Sequence, residues 1–294
     1  MTTYHVLNLG AGVQSTTLYM LDATLPFGGK LHFDAAIFAD TKSEPQAVYD
    51  HLDWLRSLGG PRIIIQSKGD LEHDLIAGQN GDHNRRSGSA RFTSIPAFTA
   101  EDHRLREGEA EEGRIQRQCT KEYKVEVIER TIRRILLGLA PRKRVPRDVA
   151  VHQYFGFTVD EARRAVKVRE RLNEKRWARP EFPFLDMGWS RRGCIEWLKD
   201  KVPHEVPRSA CVFCPCRTDH EWKKLKDDSP EEFARAVAMD EAIRDPSSVV
   251  TRGLDRSIYL HRTCVPLAMV DFDNLPPQTL DPFTLYDCTG LCGV

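Results

Sequence analysis

Apolar segments of strand length alternate with helical patterns from the first residues of this sequence, and this alternation most constrains the fold. The apolar run Tyr4–Leu9 leads into the glycine turn 10–12 and then into a helical pattern over 14–25. A second apolar run at 32–38 precedes a helical pattern over 45–58. Parallel strands need crossover connections, which are usually helices. The alternation therefore predicts an α/β fold with a Rossmann-like parallel sheet of about five strands.

The alternation continues to residue 199. The consecutive isoleucines Ile63–Ile65 predict a strand that is buried on both faces. Thr158 followed by Glu161 predicts a capping box at a helix start. The remaining predicted elements are strands at 62–66, 149–154 and 182–185 and helices at 120–137, 158–173, 190–199 and 230–244.

Composition divides the chain into two regions. Residues 1–200 form the predicted α/β domain, and residues 201–294 form a cysteine-bearing region packed on it. Within the first region, residues 78–113 are rich in Gly, Asn, Ser and charge, which predicts a long loop or lid. The C-terminal region has weaker patterning, so we expect it to need a staple such as a metal site.

Charge and hydropathy exclude several classes of protein. The 294 residues include 43 Lys and Arg and 43 Asp and Glu, so the net charge is zero. This balance excludes a highly basic histone-like protein and an acidic solvating chain. The apolar runs are too short for a membrane span. No signal peptide is recognisable at the N-terminus, so the expected location is the cytoplasm.

The segment LNLGAGVQSTTL, residues 7–18, places small residues between the first predicted strand and helix. Backbone N–H groups from Gly12 to Ser15 form an anion-binding arrangement at the helix N-terminus, and the hydroxyls of Ser15, Thr16 and Thr17 add donors. The segment lacks the GK[ST] of a Walker A loop and the third glycine of GxGxxG. It predicts either a phosphate-binding loop or an ordinary tight turn.

The second strand ends in Ala39-Asp40-Thr41, and Glu44 follows. Ligands of open parallel sheets lie at the carboxyl ends of strands, near the point where the strand order reverses. We therefore expect Asp40 to lie beside the loop, where it could hold Mg²⁺, a ribose hydroxyl or a substrate. The alternative is a carboxylate that only caps a helix.

Several segments of the sequence, taken together in their order and spacing, resemble the motifs of a known family. An SGGxDS-type loop has its counterpart here in NLGAGVQSTTL. A strand that is followed by Asp-Thr and by a helix beginning with Glu-Pro has its counterpart in FADTKSEPQAVYDHLDWL. GRIQRQCTKEYK matches an Arg-x-Cys-Thr-x-x-x-Lys segment, and YFGFTVDEARR a strand–Gly–Asp-Glu segment. Over roughly residues 4–220 the chain resembles the PP-loop ATP pyrophosphatase superfamily, in particular its phosphoadenosine phosphosulfate reductase branch.

The resemblance implies an adenine-nucleotide-binding enzyme that uses ATP or a related nucleotide with Mg²⁺. Its reaction would be sulfur transfer or reduction, or adenylation of an acceptor. The nucleotide-binding residues implied are Gly10, Ala11, Gly12, Gln14, Ser15, Thr16, Ala39, Asp40, Lys124, Gly156 and Arg163. The catalytic residues implied are Cys119, Asp40 and Lys121.

The loop departs from the family pattern. Gly10 and Ala11 stand where the family has Ser and Gly, and Gln14 stands where it has Asp. A neutral Gln removes one anchor for Mg²⁺ or for the loop Ser, so nucleotide binding can persist where catalysis does not. The alternative function is a non-catalytic nucleotide-binding module of a nucleic-acid modification or defence system.

Eight cysteines point to metal or thiol chemistry in a cytoplasmic chain of this length. Cys119 has Lys121 and Lys124 nearby and precedes a predicted helix, which lowers a thiol pKa. It is a candidate metal or iron–sulfur ligand or a sulfur carrier, and the alternative is an inert buried thiol.

Two cysteine pairs form the strongest local signal. The spacing Cys211-x-x-Cys214 puts two sulfurs within reach of one metal, and Cys288 and Cys292 permit the same. These four could close a structural Zn²⁺ site, or Cys119 could join Cys211, Cys214 and a tail cysteine around a [4Fe-4S] cluster. The third possibility is no metal. The other cysteines are predicted core residues or a spare thiol: Cys194 and Cys264 for the core, and Cys216 as the spare.

Residues 142–192 hold 14 Lys or Arg and 7 Asp or Glu. Trp177 and Arg179 could stack on or clamp a nucleic acid there. The alternative is a solvated helical face, neutralised by the acidic stretch Glu107–Glu112. The sequence indicates nothing about oligomeric state.

Overall fold

The computed structural model describes residues 1–24, 32–76, 95–99, 118–245 and 257–275. The strands are β1 Thr2–Asn8, β2 Ala35–Asp40, β3 Ile63–Ser67, β4 Phe98–Thr99, β5 Val149–Tyr154, β6 Ala178–Glu181 and β7 Ile258–Tyr259. Five of them form one parallel sheet in the order β3-β2-β1-β5-β6, and β4 pairs with β7 in a separate antiparallel ladder. The predicted α/β fold with a five-stranded parallel sheet is confirmed.

Helices connect the strands and continue beyond the sheet. They are α1 Val13–Thr24, α2 Gln46–Ser57, α3 Leu71–Ile76, α4 Glu126–Thr131, α5 Ala162–Asn173, α6 Pro183–Asp186, α7 Arg191–Leu198, α8 Asp219–Asp228 and α9 Pro230–Ala242. Wider π-helical turns, Thr120–Val125 and Ile132–Leu136, flank α4, so one continuous helical stretch covers most of the helix predicted at 120–137. Helix α8 was not predicted, although a capping box of Thr218 and Glu221 begins it.

The sheet is covered on both faces, as the alternation of β1 shows. Val6 packs into a cluster that includes residues of α4 and α5, whereas its neighbour Leu7 packs into a cluster with residues of α1, α2 and α7. Both side chains are fully buried, which stabilises each by about 1.5–3 kcal/mol relative to exposure. Helices on both faces leave only the strand ends free for function.

Strand β3 is less buried than predicted. Ile64 is buried, but Ile63 and Ile65 are only half-buried. Strand β3 lies at the edge of the sheet and pairs with β2 alone, so its outer side lacks the cover that an interior strand receives. Three consecutive isoleucines therefore do not distinguish an edge strand from a central one.

The strand predicted at 182–185 is wrong. The strand β6 ends at Glu181, and Pro183 begins the short helix α6. A proline has no N–H to donate to a strand ladder but fits the first turn of a helix. Phe182 and Phe184 are both buried, so the apolar run marked burial and not strand conformation.

The capping box predicted from Thr158 and Glu161 is also wrong. The hydroxyl of Thr158 donates to Asp160 Oδ2, and a 3₁₀ turn of Val159–Glu161 precedes α5. The carboxylate of Glu161 turns instead toward Gln14.

The described residues fall into two compact units. The sheet unit comprises 1–24, 32–68 and 120–210; the second unit comprises 69–76, 95–99, 118–119, 211–245 and 257–275. The domain boundary predicted at residue 200 stays a prediction. Most of the loop predicted at 78–113 lies outside the described residues, and so does the acidic stretch 107–112. No helix in the described ranges combines the length and apolar character needed to cross a membrane.

Candidate functional site

The glycine loop connects β1 to α1 and is closed by its own hydrogen bonds. The N–H of Gly10 donates to Ser15 Oγ, and the Ser15 hydroxyl donates to the carbonyl of Gly12, each at 3.2 Å. Ala11 has a φ of 58°, in the left-handed region. The predicted donor Ser15 therefore shapes the loop from within, while Gly12, Val13 and Gln14 remain partly accessible.

Position along the sheet makes this loop a candidate ligand site. The chain passes from β1 to β2 and β3 on one side of β1, then returns to β5 and β6 on the other. The loop thus follows the carboxyl end of β1, where the strand order reverses. Open parallel sheets bind ligands in this crevice. The first turn of α1 also has N–H groups without an acceptor in the helix, and they favour an anion.

The connection after β5 packs directly on the loop. A Cβ atom at Gly156 would lie 3.0 Å from the carbonyl carbon of Gln14 and 3.0 Å from the nitrogen of Ser15. The absence of a side chain at Gly156 therefore allows the loop to approach. The predicted contact of Gly156 with a nucleotide stays a prediction.

Gln14 has a carboxylate partner. Its Nε2 donates to Glu161 Oε2 at 2.6 Å, and Glu161 also pairs with Arg164, which lies over the ring of Phe157. Glu161 therefore places a carboxylate next to the loop, and Arg164 offsets its charge. The predicted cation Arg163 is exposed, whereas its neighbour Arg164 is directed toward the loop connection.

Gly12 faces the segment 207–209 of the sheet unit. A Cβ atom at this position would lie 3.4 Å from the Cβ of Ser209 and 4.0 Å from the carbonyl oxygen of Pro207. These distances are ordinary van der Waals contact. A side chain at position 12 would therefore point toward 207–209 rather than into the space in front of the helix.

Asp40 ends β2, as predicted, but its carboxylate is engaged within the protein. Oδ1 accepts from the N–H of Lys42 at 2.7 Å and from the hydroxyl of Tyr49 at 2.9 Å. Oδ2 lies 2.8 Å from Lys42 Nζ. Burial and the charge of Asp40 raise the pKa of Tyr49 far above its usual range, so the phenol stays a donor. Asp40 therefore organises the turn after β2.

Glu44 is the carboxylate that retains an unused oxygen. Its Oε1 accepts from the Thr41 hydroxyl at 3.2 Å and lies 3.5 Å from Lys124 Nζ. Its Oε2 is buried and has no hydrogen-bond partner in the part of the chain that the structure describes. A buried carboxylate oxygen without a partner is costly, which makes Glu44 a candidate for a cation or a hydroxyl group.

Two lysines accompany these carboxylates in the sheet unit. Lys124, predicted to bind phosphate, is buried beside Glu44, whereas the predicted catalytic residue Lys121 is exposed. Lys68, which directly follows β3, pairs with Glu122 at 3.1 Å and lies over the ring of Tyr123. Ala39 is buried at the end of β2. The helical turn 120–125 therefore contributes one lysine and one carboxylate to these ion pairs. Their partners follow β2 and β3.

The hydroxyl of Thr16, which was predicted to bind the nucleotide, is hydrogen-bonded within the protein core. The N–H of Thr16 donates to the Gly12 carbonyl, and its Oγ1 lies 2.8 Å from Nε2 of the buried His51. His51 Nδ1 in turn lies 2.8 Å from Nε2 of the exposed His204. Burial, and then the neighbouring His204, lower the pKa of His51 to about 4. The sequence analysis did not predict this series of hydrogen bonds from Thr16 through His51 to His204. The signal that could have revealed it is a histidine on the apolar face of α2, beside Val48 and Leu52.

A small cavity lies in the sheet unit between β1, β5, α4 and α5. Asn8 Oδ1, Gln153 Nε2 and Arg171 Nε are buried there without hydrogen-bond partners among the described residues. Burial lowers the pKa of Arg171. The free space suits about one water molecule, which could satisfy these groups. It is not a nucleotide pocket.

The cysteine motif forms a tight turn in the second unit. The N–H of Cys214 donates to the carbonyl of Cys211 at 3.0 Å, and the Arg217 guanidinium donates to the carbonyls of Cys211 and Val212. Cys214 is buried and Cys211 half-buried. Arg217 also lies over the ring of Trp222. The side chain of Arg217 therefore stabilises the turn by donating hydrogen bonds to its backbone carbonyls.

The predicted metal ligands lie only partly within the described residues. Cys119 is half-buried in the second unit, and Cys288 and Cys292 lie outside the described residues. Within the described ranges, no three His, Cys, Asp or Glu side chains are grouped so that they could hold a metal ion. The two arrangements with Cys211 and Cys214 stay predictions.

The other cysteines divide between confirmed and wrong predictions. Cys194 is fully buried in the sheet unit, and burial raises its thiol pKa to about 11, so the predicted core position is confirmed. Cys264 is only half-buried and has a φ of 52°, so its predicted core position is wrong. Its apolar neighbours in the sequence had suggested burial. The predicted spare thiol Cys216 is fully buried.

Comparison with known proteins adds no family. No protein-family model, curated protein or solved structure matches the chain. The resemblance to the PP-loop superfamily therefore depends on the motifs and on the position of the loop.

Proposed function

We propose that this protein is an adenine-nucleotide-binding enzyme of the PP-loop type, similar to phosphoadenosine phosphosulfate reductases. The observation that carries the proposal is the glycine loop at the reversal of strand order, with the N-terminus of α1 behind it. In this proposal the backbone N–H groups of Gly12, Val13 and Gln14, three residues that are each partly exposed, bind phosphate. The reaction is sulfur transfer or reduction, or adenylation of an acceptor.

The charged residues of the sheet unit suit a nucleotide with Mg²⁺. Mg²⁺ is usually held by one or two carboxylates together with substrate phosphates, and it does not need an all-protein cage. Glu44 fits this role better than Asp40, because one Glu44 oxygen is unused while both Asp40 oxygens are engaged. Lys124, beside Glu44, would neutralise phosphate charge. Bound Mg²⁺ would supply charge stabilisation of the pyrophosphate group.

Cys119 is the proposed group for the sulfur or electron step, and Lys121 would neutralise phosphate charge during catalysis. We place the protein in the cytoplasm, where cysteines serve metal or thiol chemistry more often than disulfides. A [4Fe-4S] cluster or Zn²⁺ bound by Cys211 and Cys214 belongs to the same proposal. The acceptor would be a small molecule or a nucleic acid.

A non-catalytic nucleotide-binding module is the second candidate, and the pairing of Gln14 favours it. The amide of Gln14 is bonded to Glu161, so position 14 offers no carboxylate of its own to Mg²⁺. A loop of this kind can bind phosphate through its N–H groups without accelerating adenylyl transfer.

ATP titration and ATP–pyrophosphate exchange test both candidates. We expect Mg²⁺-ATP to bind and Lys124→Met to weaken binding by about 10- to 100-fold, as for the loss of a charged hydrogen bond. Lys199→Met is the matched control, since Lys199 is exposed at the end of α7. Exchange by the wild type supports an adenylating enzyme, and release of sulfite from phosphoadenosine phosphosulfate in the presence of a thiol reductant supports a reductase. Nucleotide binding with neither reaction supports the module. No ATP binding, or equal binding by both variants, overturns the proposal.

Metal analysis tests the cysteine site separately. Protein purified without oxygen is expected to contain iron or zinc, and Cys211→Ser is expected to lower that content, with Cys194→Ser as the control. Metal-free wild-type protein, or unchanged metal in Cys211→Ser, would contradict the site. Iron that is also lost in Cys119→Ser would identify the cluster arrangement.

A further inference from the structure

A basic face lies at the amino ends of two neighbouring strands of the sheet unit. The loop 141–148 leads directly into β5, and the segment 174–179 includes the first two residues of β6, which pairs with β5 in parallel. Together these segments contain seven Lys or Arg and two acids. Six exposed cations define what we call the basic face: Arg142, Lys143, Arg144, Arg147, Arg176 and Arg179.

The backbone that carries these charges is held in place. The Arg176 guanidinium donates to the carbonyls of Val145, Pro146 and Arg147 at 3.0–3.3 Å. Arg133 donates to the carbonyl of Lys143. The loop is therefore anchored from two neighbouring segments, and its charges need little further ordering on binding a partner, which lowers the entropic cost.

Among the residues that the structure describes, no carboxylate neutralises the charges of the basic face. None of its six cations forms an ion pair with a carboxylate across the ranges that the structure describes, and Arg176 and Arg179 donate to neutral backbone carbonyls. Helix α5 differs, because Arg164 pairs with Glu161 there. In a chain of zero net charge, such a face is a local excess that attracts a polyanion.

The aromatic residue in this region does not suit base stacking. Trp177 is half-buried and packs against the core of the sheet unit. The predicted stacking role of Trp177 is therefore not favoured. The cations that surround Trp177 suit contacts with phosphates, and phosphate contacts do not distinguish one base sequence from another.

We propose that the basic face binds the phosphate backbone of a nucleic acid, independently of base sequence. The basic face lies at the amino ends of the strands, whereas the glycine loop lies at their carboxyl ends. Strand β1 has seven residues, so the two ends of the sheet are about 20 Å apart. A nucleic acid held at the basic face leaves the loop crevice open, and this surface does not depend on the nucleotide proposal.

Fluorescence anisotropy with 20-mer probes tests the basic face. The probes are duplex DNA, duplex RNA and single-stranded DNA, each at several NaCl concentrations, with polyglutamate as a polyanion without phosphates. The triple variant Arg142→Gln, Arg144→Gln, Arg147→Gln removes three exposed charges and leaves the anchoring Arg176 in place. We expect at least one nucleic-acid probe to bind, and we expect the variant to bind it about tenfold or more weakly. The slope of log K against log [NaCl] should be shallower by about 2.7 for duplex DNA and by about 2.1 for single-stranded DNA.

The matched control is Arg169→Gln, Arg191→Gln, Lys199→Gln, which changes the net charge equally at exposed positions elsewhere in the sheet unit. It is expected to bind like the wild type. Equal loss in both triple variants, no binding by the wild type at 50 mM NaCl, or polyglutamate binding as tight as nucleic acid overturns the proposal. Circular dichroism and ATP titration of the same variants report whether folding or the loop crevice changed instead.

Discussion

Replacing Gly156 by Ala tests whether the loop crevice is built by the close approach of two backbones. The new Cβ would lie 3.0 Å from the carbonyl carbon of Gln14 and 3.0 Å from the nitrogen of Ser15. Both are backbone atoms within the closed loop, so neither can rotate away as a side-chain tip could. The φ of Gly156 is not in the left-handed region, so the cost comes from overpacking alone.

Overpacking of this kind costs about 1–3 kcal/mol, which changes the folding equilibrium by about 5- to 160-fold. The control is Gly193→Ala in α7, where a Cβ would lie 3.6 Å from Ser190 Oγ, an ordinary contact. Alanine inside a helix is favoured over glycine by about 1 kcal/mol, so this variant should be neutral or more stable.

Urea unfolding of the two variants and the wild type measures the difference. Hydrogen exchange in β1 and β5 identifies the loss with the sheet unit, and ATP titration reports displacement of the loop. We expect Gly156→Ala to unfold at lower urea and to exchange faster in both strands. If Gly156→Ala is as stable as Gly193→Ala, the contact between the two backbones is not tight and the reasoning fails.

Three further predictions concern buried groups of the sheet unit. The pKa of His51 is about 4 in the fold against an ordinary 6.5, so the unfolded chain takes up the proton first as pH falls; the free energy of unfolding should drop between pH 6.5 and 4, and less steeply in His51→Gln. A parallel slope for both proteins would contradict this. Cys194, with a pKa of about 11, should resist iodoacetamide at pH 8 until urea unfolds the protein, and modification of the native chain at the unfolded rate, seen by peptide mass spectrometry, would refute its burial. Gln14→Asp should lower stability by placing like charges side by side, and Glu161→Gln in the same chain should restore it; purely additive losses in urea unfolding would show that the two residues are not coupled.

The sheet could be predicted because its signals are local. The apolar runs of β1, β2, β3 and β5 and the helical patterns between them depend on residues near one another in sequence, and the observed elements lie within a few residues of the predicted ones. The run Phe182–Leu185 was misread because two buried phenylalanines mark a core without specifying strand or helix. The half-burial of Ile63 depends on the edge position of β3, which no local pattern encodes.

The sequence alone determined the α/β class, the order of the elements and the small residues of the glycine loop, since these follow from periodicity and from turn chemistry. Only the tertiary structure decided what surrounds that loop. Glu161 reaches Gln14 across 147 positions of sequence, and the bond exists because β5 lies beside β1 and brings its following turn to the loop. In the same way Arg176 meets the loop before β5 only because β5 and β6 are neighbours. Contacts between residues far apart in sequence depend on which strands pair, and pairing is a property of the whole sheet.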